Sequence, residues 1–70
     1  MNYREVTRKL LGLGCTEIHR RGGGSHRKWF NPATRRAAVL PDHGARDLRL
    51  GTLRAVVRQL GLGWESFRDA

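Results

Sequence analysis

The residues best suited to chemistry lie in one stretch, residues 21 to 30, with the sequence RGGGSHRKWF. It contains one histidine, His26, directly after a glycine run and Ser25, and a lysine, Lys28, two positions further on. Histidine is the side chain whose ordinary pKa suits both proton removal and proton donation near neutral pH. Basic neighbours can stabilise charge that develops on a phosphate. The residues alone therefore predict an exposed, phosphate-binding edge around His26.

Spacing adds roles for the neighbours of His26. Residues two apart on a strand share a face, so Lys28 is predicted to hold phosphate on the same side as His26. Ser25 is a hydrogen-bonding neighbour, and Gly24 lets a nucleic-acid backbone approach closely. The remaining predicted phosphate contacts are Arg21, Arg27 and His43.

The histidines, the glycine run and the cysteine also allow other interpretations. His26 alone also fits an ordinary surface histidine at the mouth of a hairpin. The glycine run lacks the G-x-x-x-x-G-K-[ST] pattern of a nucleotide-binding loop. No histidine or cysteine pair has C-x₂-C or H-x₃-H spacing, so we expect no metal and no cofactor. Cys15 is expected to be buried and unreactive.

Two further histidines have weaker signals. His43 follows a predicted strand, where it equally fits a phosphate contact, a second proton carrier for His26 or a loop-stabilising hydrogen bond. His19 shares one side of the first predicted strand with Glu17, and we interpret that side as the solvated face. His19 is therefore not expected to take part in chemistry.

Length and charge limit what can surround His26. The chain has 70 residues, and a domain of about this length buries only about 60% of its unfolded surface, so a deep substrate cavity is not expected. Its 14 lysines and arginines, all but two of them arginine, outnumber 6 acidic residues and give a net charge of +8. This balance favours a polyanionic partner, nucleic acid before membrane headgroups or an acidic protein. With one cysteine, no signal-peptide pattern and no long apolar run, we expect a soluble, cytoplasmic protein.

Periodicity divides the chain into helices and strands. Apolar residues recur at helical spacing near both ends of the chain, and glycines end each run. Alternating residues between them indicate strands. We predict helices over residues 3 to 12 and 49 to 60, and strands over 15 to 20, 25 to 30 and 37 to 40.

These elements predict one α+β domain spanning residues 1–70, in the order α-β-β-β-α. Short connections favour a three-stranded antiparallel sheet, with two helices packed on one face and the other face left for function. The tail is predicted to add a short helical turn, in which Trp64 and Phe67 pack against the domain.

The motifs also resemble a known family. Gly24-Ser25-His26, Trp29, Pro32, the segment VLPDH at 39–43, LGTLR at 50–54 and QLGL at 59–62 together resemble the HicA, or YcfA-like, family of bacterial toxins. The resemblance covers nearly the whole chain. It implies a domain similar to the double-stranded-RNA-binding fold, acting as an mRNA interferase and neutralised by a HicB-like antitoxin, with His26 at the catalytic position.

Three functions follow as hypotheses. The first is a metal-independent endoribonuclease toxin that cleaves mRNA with His26 as general acid or base and so inhibits translation. The second is a non-catalytic RNA-binding module, which would show salt-dependent binding to RNA that stays intact. The third is a protein whose basic face docks one acidic partner.

Overall fold

The computed structural model of the chain describes residues 1–19 and 24–70. The order of elements confirms the predicted α-β-β-β-α arrangement and the short helical turn in the tail. Within the described residues no helix has the length and apolar character that crossing a membrane requires. The elements are α1 (Tyr3–Gly12), β1 (Thr16–Ile18), β2 (His26–Asn31), β3 (Arg36–Pro41), α2 (Leu50–Gln59) and α3 (Trp64–Arg68).

Helix α1 begins and ends as the sequence predicts. Asn2 Oδ1 accepts a hydrogen bond from the Glu5 amide, and Glu5 Oε1 accepts one from the Asn2 amide, each at 3.0 Å. This reciprocal capping box satisfies two amides that the first turn leaves without helical partners. After the helix Gly14 adopts a φ of +88°, a conformation that glycine reaches without a Cβ penalty.

The three strands form an antiparallel sheet in the order β1-β2-β3, as predicted. In β2, Trp29 pairs with Glu17 of β1 and with Ala38 of β3. Because directly paired residues share a face, Glu17, Trp29 and Ala38 form one side of the sheet, which we call the covered face. The opposite side, the open face, carries His26, Lys28 and Phe30 of β2.

The hydrophobic core lies between the covered face and the helices. Trp29 and Leu40 of the sheet belong to one buried cluster with residues of all three helices. Phe67 is fully buried and Trp64 packs against the cluster, which confirms the packing role predicted for the tail. The helical members are Val6 and Leu10 of α1, Leu53, Val56 and Val57 of α2, and Phe67 of α3.

The orientation predicted for β1 was wrong. Glu17 was expected on a solvated face, but its pairing with Trp29 places it on the covered face, where its side chain is 19% exposed. Ile18 points to the open face and is 40% exposed. Burial of Trp29, a larger apolar side chain, decides which face of the sheet is covered. Arg27 then provides Glu17 with an ion-pair partner at 3.5 Å.

Candidate functional site

The candidate site is the open face at the start of β2. His26 and Lys28 are both exposed there and lie on the same side of the strand, as the spacing predicts. His26 pairs with Pro41 of β3, so it stands at the end of the β2–β3 ladder. The arrangement leaves the imidazole accessible to a ligand that lies across the sheet.

Lys28 lies between apolar neighbours. It pairs with Ile18 on one side and with Val39 on the other, and these two side chains are 40% and 48% exposed. An ammonium group above such a surface can meet a phosphate while the apolar side chains contact a sugar or base. The open face thus combines an imidazole, a cation and an apolar surface.

The segment before His26 is tied to the end of β3. The Asp42 amide donates a hydrogen bond of 2.6 Å to the Ser25 carbonyl oxygen, immediately before His26. Apart from its chain neighbours, no atom of the described residues lies within 4 Å of the position that a Cβ on Gly24 would occupy. Packing against the described residues therefore does not require glycine at this position.

His43 lies at the same end of the sheet as His26. It follows Pro41 and Asp42 in an exposed loop. The Gly44 amide donates to Asp42 Oδ1 at 2.9 Å, and Gly44 has a φ of +64°, so the loop turns sharply at this point. This turn, signalled by Asp-His-Gly in the sequence, holds His43 close to the Ser25–Asp42 link.

Arg27 belongs to the other side of the sheet. Its guanidinium lies 3.5 Å from Glu17 Oε2 through Nη1 and 3.8 Å from Asp42 Oδ2 through Nε. Among the described residues Nε is buried and has no hydrogen-bond partner. Arg27 therefore links β1 to the segment after β3 beneath His26, and its predicted RNA contact is not part of the His26–Lys28 cluster. Sequence reasoning missed this link because it depends on which face of β1 is covered.

Arg21 and His19 are not part of the cluster formed by His26 and Lys28 on the open face as the structure describes it. Arg21 falls outside the described residues, so its RNA contact stays a prediction. His19 is exposed and lies 3.9 Å from Glu17 Oε2, after the end of β1. The described residues contain no group of three histidines, cysteines or carboxylates that could hold a metal ion.

Two weakly acidic side chains, one buried and one partly buried, stay neutral near pH 7. Burial raises the pKa of the Cys15 thiol, which is 1% exposed, so the thiolate needed for nucleophilic attack is disfavoured. Burial also raises the pKa of Tyr3, whose hydroxyl oxygen accepts a hydrogen bond of 3.4 Å from Trp29 Nε1. Both groups serve packing, as predicted for Cys15, and neither belongs to the open face.

The arrangement is suited to act on a phosphodiester lying across the open face. An exposed imidazole such as that of His26 can exchange a proton, and an exposed ammonium such as that of Lys28 can meet negative charge. A family model described as "HicA toxin of bacterial toxin-antitoxin" matches residues 3–62, from α1 to just beyond α2. Comparison with curated proteins and with solved structures gave no match. The likeness to the double-stranded-RNA-binding fold stays a prediction.

Proposed function

The chain belongs to the HicA toxin family of bacterial toxin-antitoxin systems, and we propose that it is an endoribonuclease in which His26 transfers the proton. Family membership implies a toxin role and a cognate antitoxin. The substrate, the reaction and the residues belong to the proposal.

The single observation that supports it most is the exposure of His26 and Lys28 on the same open face of the sheet. A histidine that packed the fold or capped a loop would be covered or hydrogen-bonded within the chain. His26 is exposed, and the hydrogen bonds among the described residues include none from its ring. An accessible imidazole beside a cation is the arrangement that RNA cleavage needs.

In the proposed reaction His26 accepts the proton of a ribose 2′-hydroxyl as that oxygen attacks the neighbouring phosphorus. The bond from phosphorus to the 5′-oxygen breaks, and that oxygen takes up a proton as it leaves. Lys28 stabilises the additional negative charge on the phosphate during the transfer. No metal ion is needed for this step. His43 is a candidate for the second proton carrier because it lies at the same end of the sheet.

The partners follow from charge. A formal net charge of +8 favours RNA as the substrate, and we propose mRNA in the cytoplasm, where cleavage inhibits translation. We also propose a HicB-like antitoxin that neutralises the enzyme by covering the open face. Such a cover would exclude RNA from His26 without altering the fold.

The test is cleavage of a labelled RNA by purified protein in EDTA. We expect fragments from the wild type and a rate lower by at least about 10²-fold for His26→Ala, the typical contribution of a positioned acid or base. An RNA with a 2′-deoxyribose at the cleaved position should stay intact, because the attacking oxygen is absent.

The matched control is His19→Ala. This variant removes an exposed histidine that lies after β1, outside the open-face cluster. It should cleave RNA at the wild-type rate. If His26→Ala cleaves as fast as the wild type, His26 does not transfer the proton. If the wild type binds RNA and never cuts it, the binding-module hypothesis replaces the enzyme.

A further inference from the structure

Next to the open face is a recess in which His43 is the only residue that the proposed reaction uses. It has a volume of about 470 Å³ and lies between the end of β3 and the first turn of α2. Its basic lining residues are His43, Arg46 and Arg49. Pro41, Asp47, Leu48 and Thr52 complete the lining.

The recess begins beside His26. Pro41, which forms part of its wall, is the β3 residue paired with His26. The Cα atoms of paired antiparallel residues are about 4.5–5.5 Å apart, so a chain molecule that crosses His26 reaches the recess within one residue spacing. A ligand bound at His26 is therefore in position to extend into it.

The charges of the recess are available to a ligand. Neither Arg46 nor Arg49 forms an ion pair with another described residue. Arg49 precedes α2 directly, where the free backbone groups are amides that a guanidinium, which has only donors, does not pair with. Asp47 is acidic, but its carboxylate is paired with the amino group of Met1 at 3.1 Å. The two guanidinium groups are thus the charges that the recess offers to a ligand.

The chemistry of the lining selects the ligand. Guanidinium groups match the oxygens of a phosphate in planar, paired hydrogen bonds. Pro41 and Leu48 add apolar surface that suits a sugar, and Thr52 adds a hydroxyl. We infer that the recess binds one nucleotide of the RNA strand next to the cleaved bond, with its phosphate held by Arg46 and Arg49. This inference rests on the proposed function only in taking RNA as the ligand.

The test measures binding of an uncleavable RNA, so that it does not depend on catalysis. The probe is a 12-nucleotide RNA carrying 2′-O-methyl groups throughout, titrated at several salt concentrations by fluorescence anisotropy. For Arg46→Gln/Arg49→Gln we expect affinity to fall about tenfold, with the slope of log K against log salt reduced by about 1. The control Arg8→Gln/Arg58→Gln removes the same charge from exposed positions on α1 and α2.

A second arm locates the phosphate. Single phosphates of the probe are replaced in turn by uncharged methylphosphonates. One replacement should weaken binding to the wild type and leave binding to Arg46→Gln/Arg49→Gln unchanged, because that phosphate has already lost its partners. The inference is overturned if the control variant loses as much affinity and slope, or if no position behaves in this way. Arg46 and Arg49 can bind the phosphate even if His26 is not the catalyst. His26 can equally be the catalyst even if Arg46 and Arg49 bind no phosphate.

Discussion

The two ends of strand β2 differ in how they are held. At one end Asn31 is 2% exposed, and its Nδ2 donates to the Leu60 carbonyl oxygen at 2.8 Å while its Oδ1 accepts from the Ala33 amide at 3.1 Å. Thr34 Oγ1 donates to the same Leu60 oxygen at 2.8 Å. At the other end His26 is exposed, and ion pairs of the partly exposed Arg27 hold the strand from the covered side.

This difference separates stability from function along one strand. The β2–β3 turn is joined to the C-terminal end of α2 by one buried and one partly buried hydrogen bond, and a buried bond is costly to leave unmade. The start of β2 has exposed polar groups and weak ion pairs, so substitution there affects the fold less. We therefore expect changes at the Asn31 end to lower the free energy of unfolding, and changes at the His26 end to lower activity.

The largest expected effect is that of His26→Ala on RNA cleavage. While the rate falls by at least about 10²-fold, the free energy of unfolding should stay within about 0.5 kcal/mol of the wild type, as is usual for an exposed side chain. Urea unfolding followed by circular dichroism gives the second quantity. A loss of stability comparable to the loss of activity would mean that His26 supports the fold.

Asn31→Ala should show the reverse behaviour. It removes one donor to the buried Leu60 carbonyl oxygen and the acceptor for the Ala33 amide, so we expect about 2 kcal/mol of destabilisation. Cleavage per folded molecule should stay within about twofold of the wild type because the open face is unchanged. Equal stability of the two proteins would show that this turn does not anchor the sheet to α2.

Local patterns in the sequence predicted the frame of the molecule well. The helices were predicted from the helical spacing of apolar residues such as Val6 and Leu10, and their ends from the glycines at 14 and 61. Alternation along β2 predicted that His26 and Lys28 share a face. These signals depend on residues close together in the chain. They can therefore be read from the sequence when the rest of the fold is unknown.

Long-range features were not predictable in the same way. A three-residue strand shows alternation but not which of its faces is covered, and pairing with Trp29 decided this for Glu17. The partners of Arg27 follow from that choice, since Glu17 and Asp42 come from distant parts of the chain. The recess likewise needs the end of β3 and the start of α2 to meet.

Gly61→Ala tests the Asn31 end from the helix side. Gly61 follows α2 with a φ of +72°, and a Cβ there would lie 2.7 Å from Thr34 Cγ2. The left-handed conformation alone costs about 1–2 kcal/mol for a residue with a Cβ, so we expect destabilisation of at least about 1 kcal/mol. Gly51→Ala is the matched control: apart from its chain neighbours and the backbone of α2 itself, no described atom lies within 4 Å of its Cβ position, and the substitution should not destabilise the protein. Similar unfolding midpoints for both variants would contradict the prediction.

The smallest expected effect is that of Arg27→Met at the His26 end. Methionine keeps an apolar stem and removes a buried Nε that has no hydrogen-bond partner among the described residues, so stability should change by less than about 1 kcal/mol. The link between Glu17 and Asp42 is lost, however, and His26 is positioned less well. If this costs about 1 kcal/mol in the transition state, kcat falls about fivefold while KM stays unchanged.

Arg36→Met provides the control for Arg27→Met, because Arg36 pairs with Asn31 at the opposite end of the strand and is exposed. It should leave kcat unchanged. A rise in KM for Arg27→Met with kcat constant would mean that Arg27 binds RNA directly, as the sequence alone predicts. A fall in kcat that Arg27→Lys partly restores would instead support positioning, because a lysine ammonium keeps a charge near both Glu17 and Asp42.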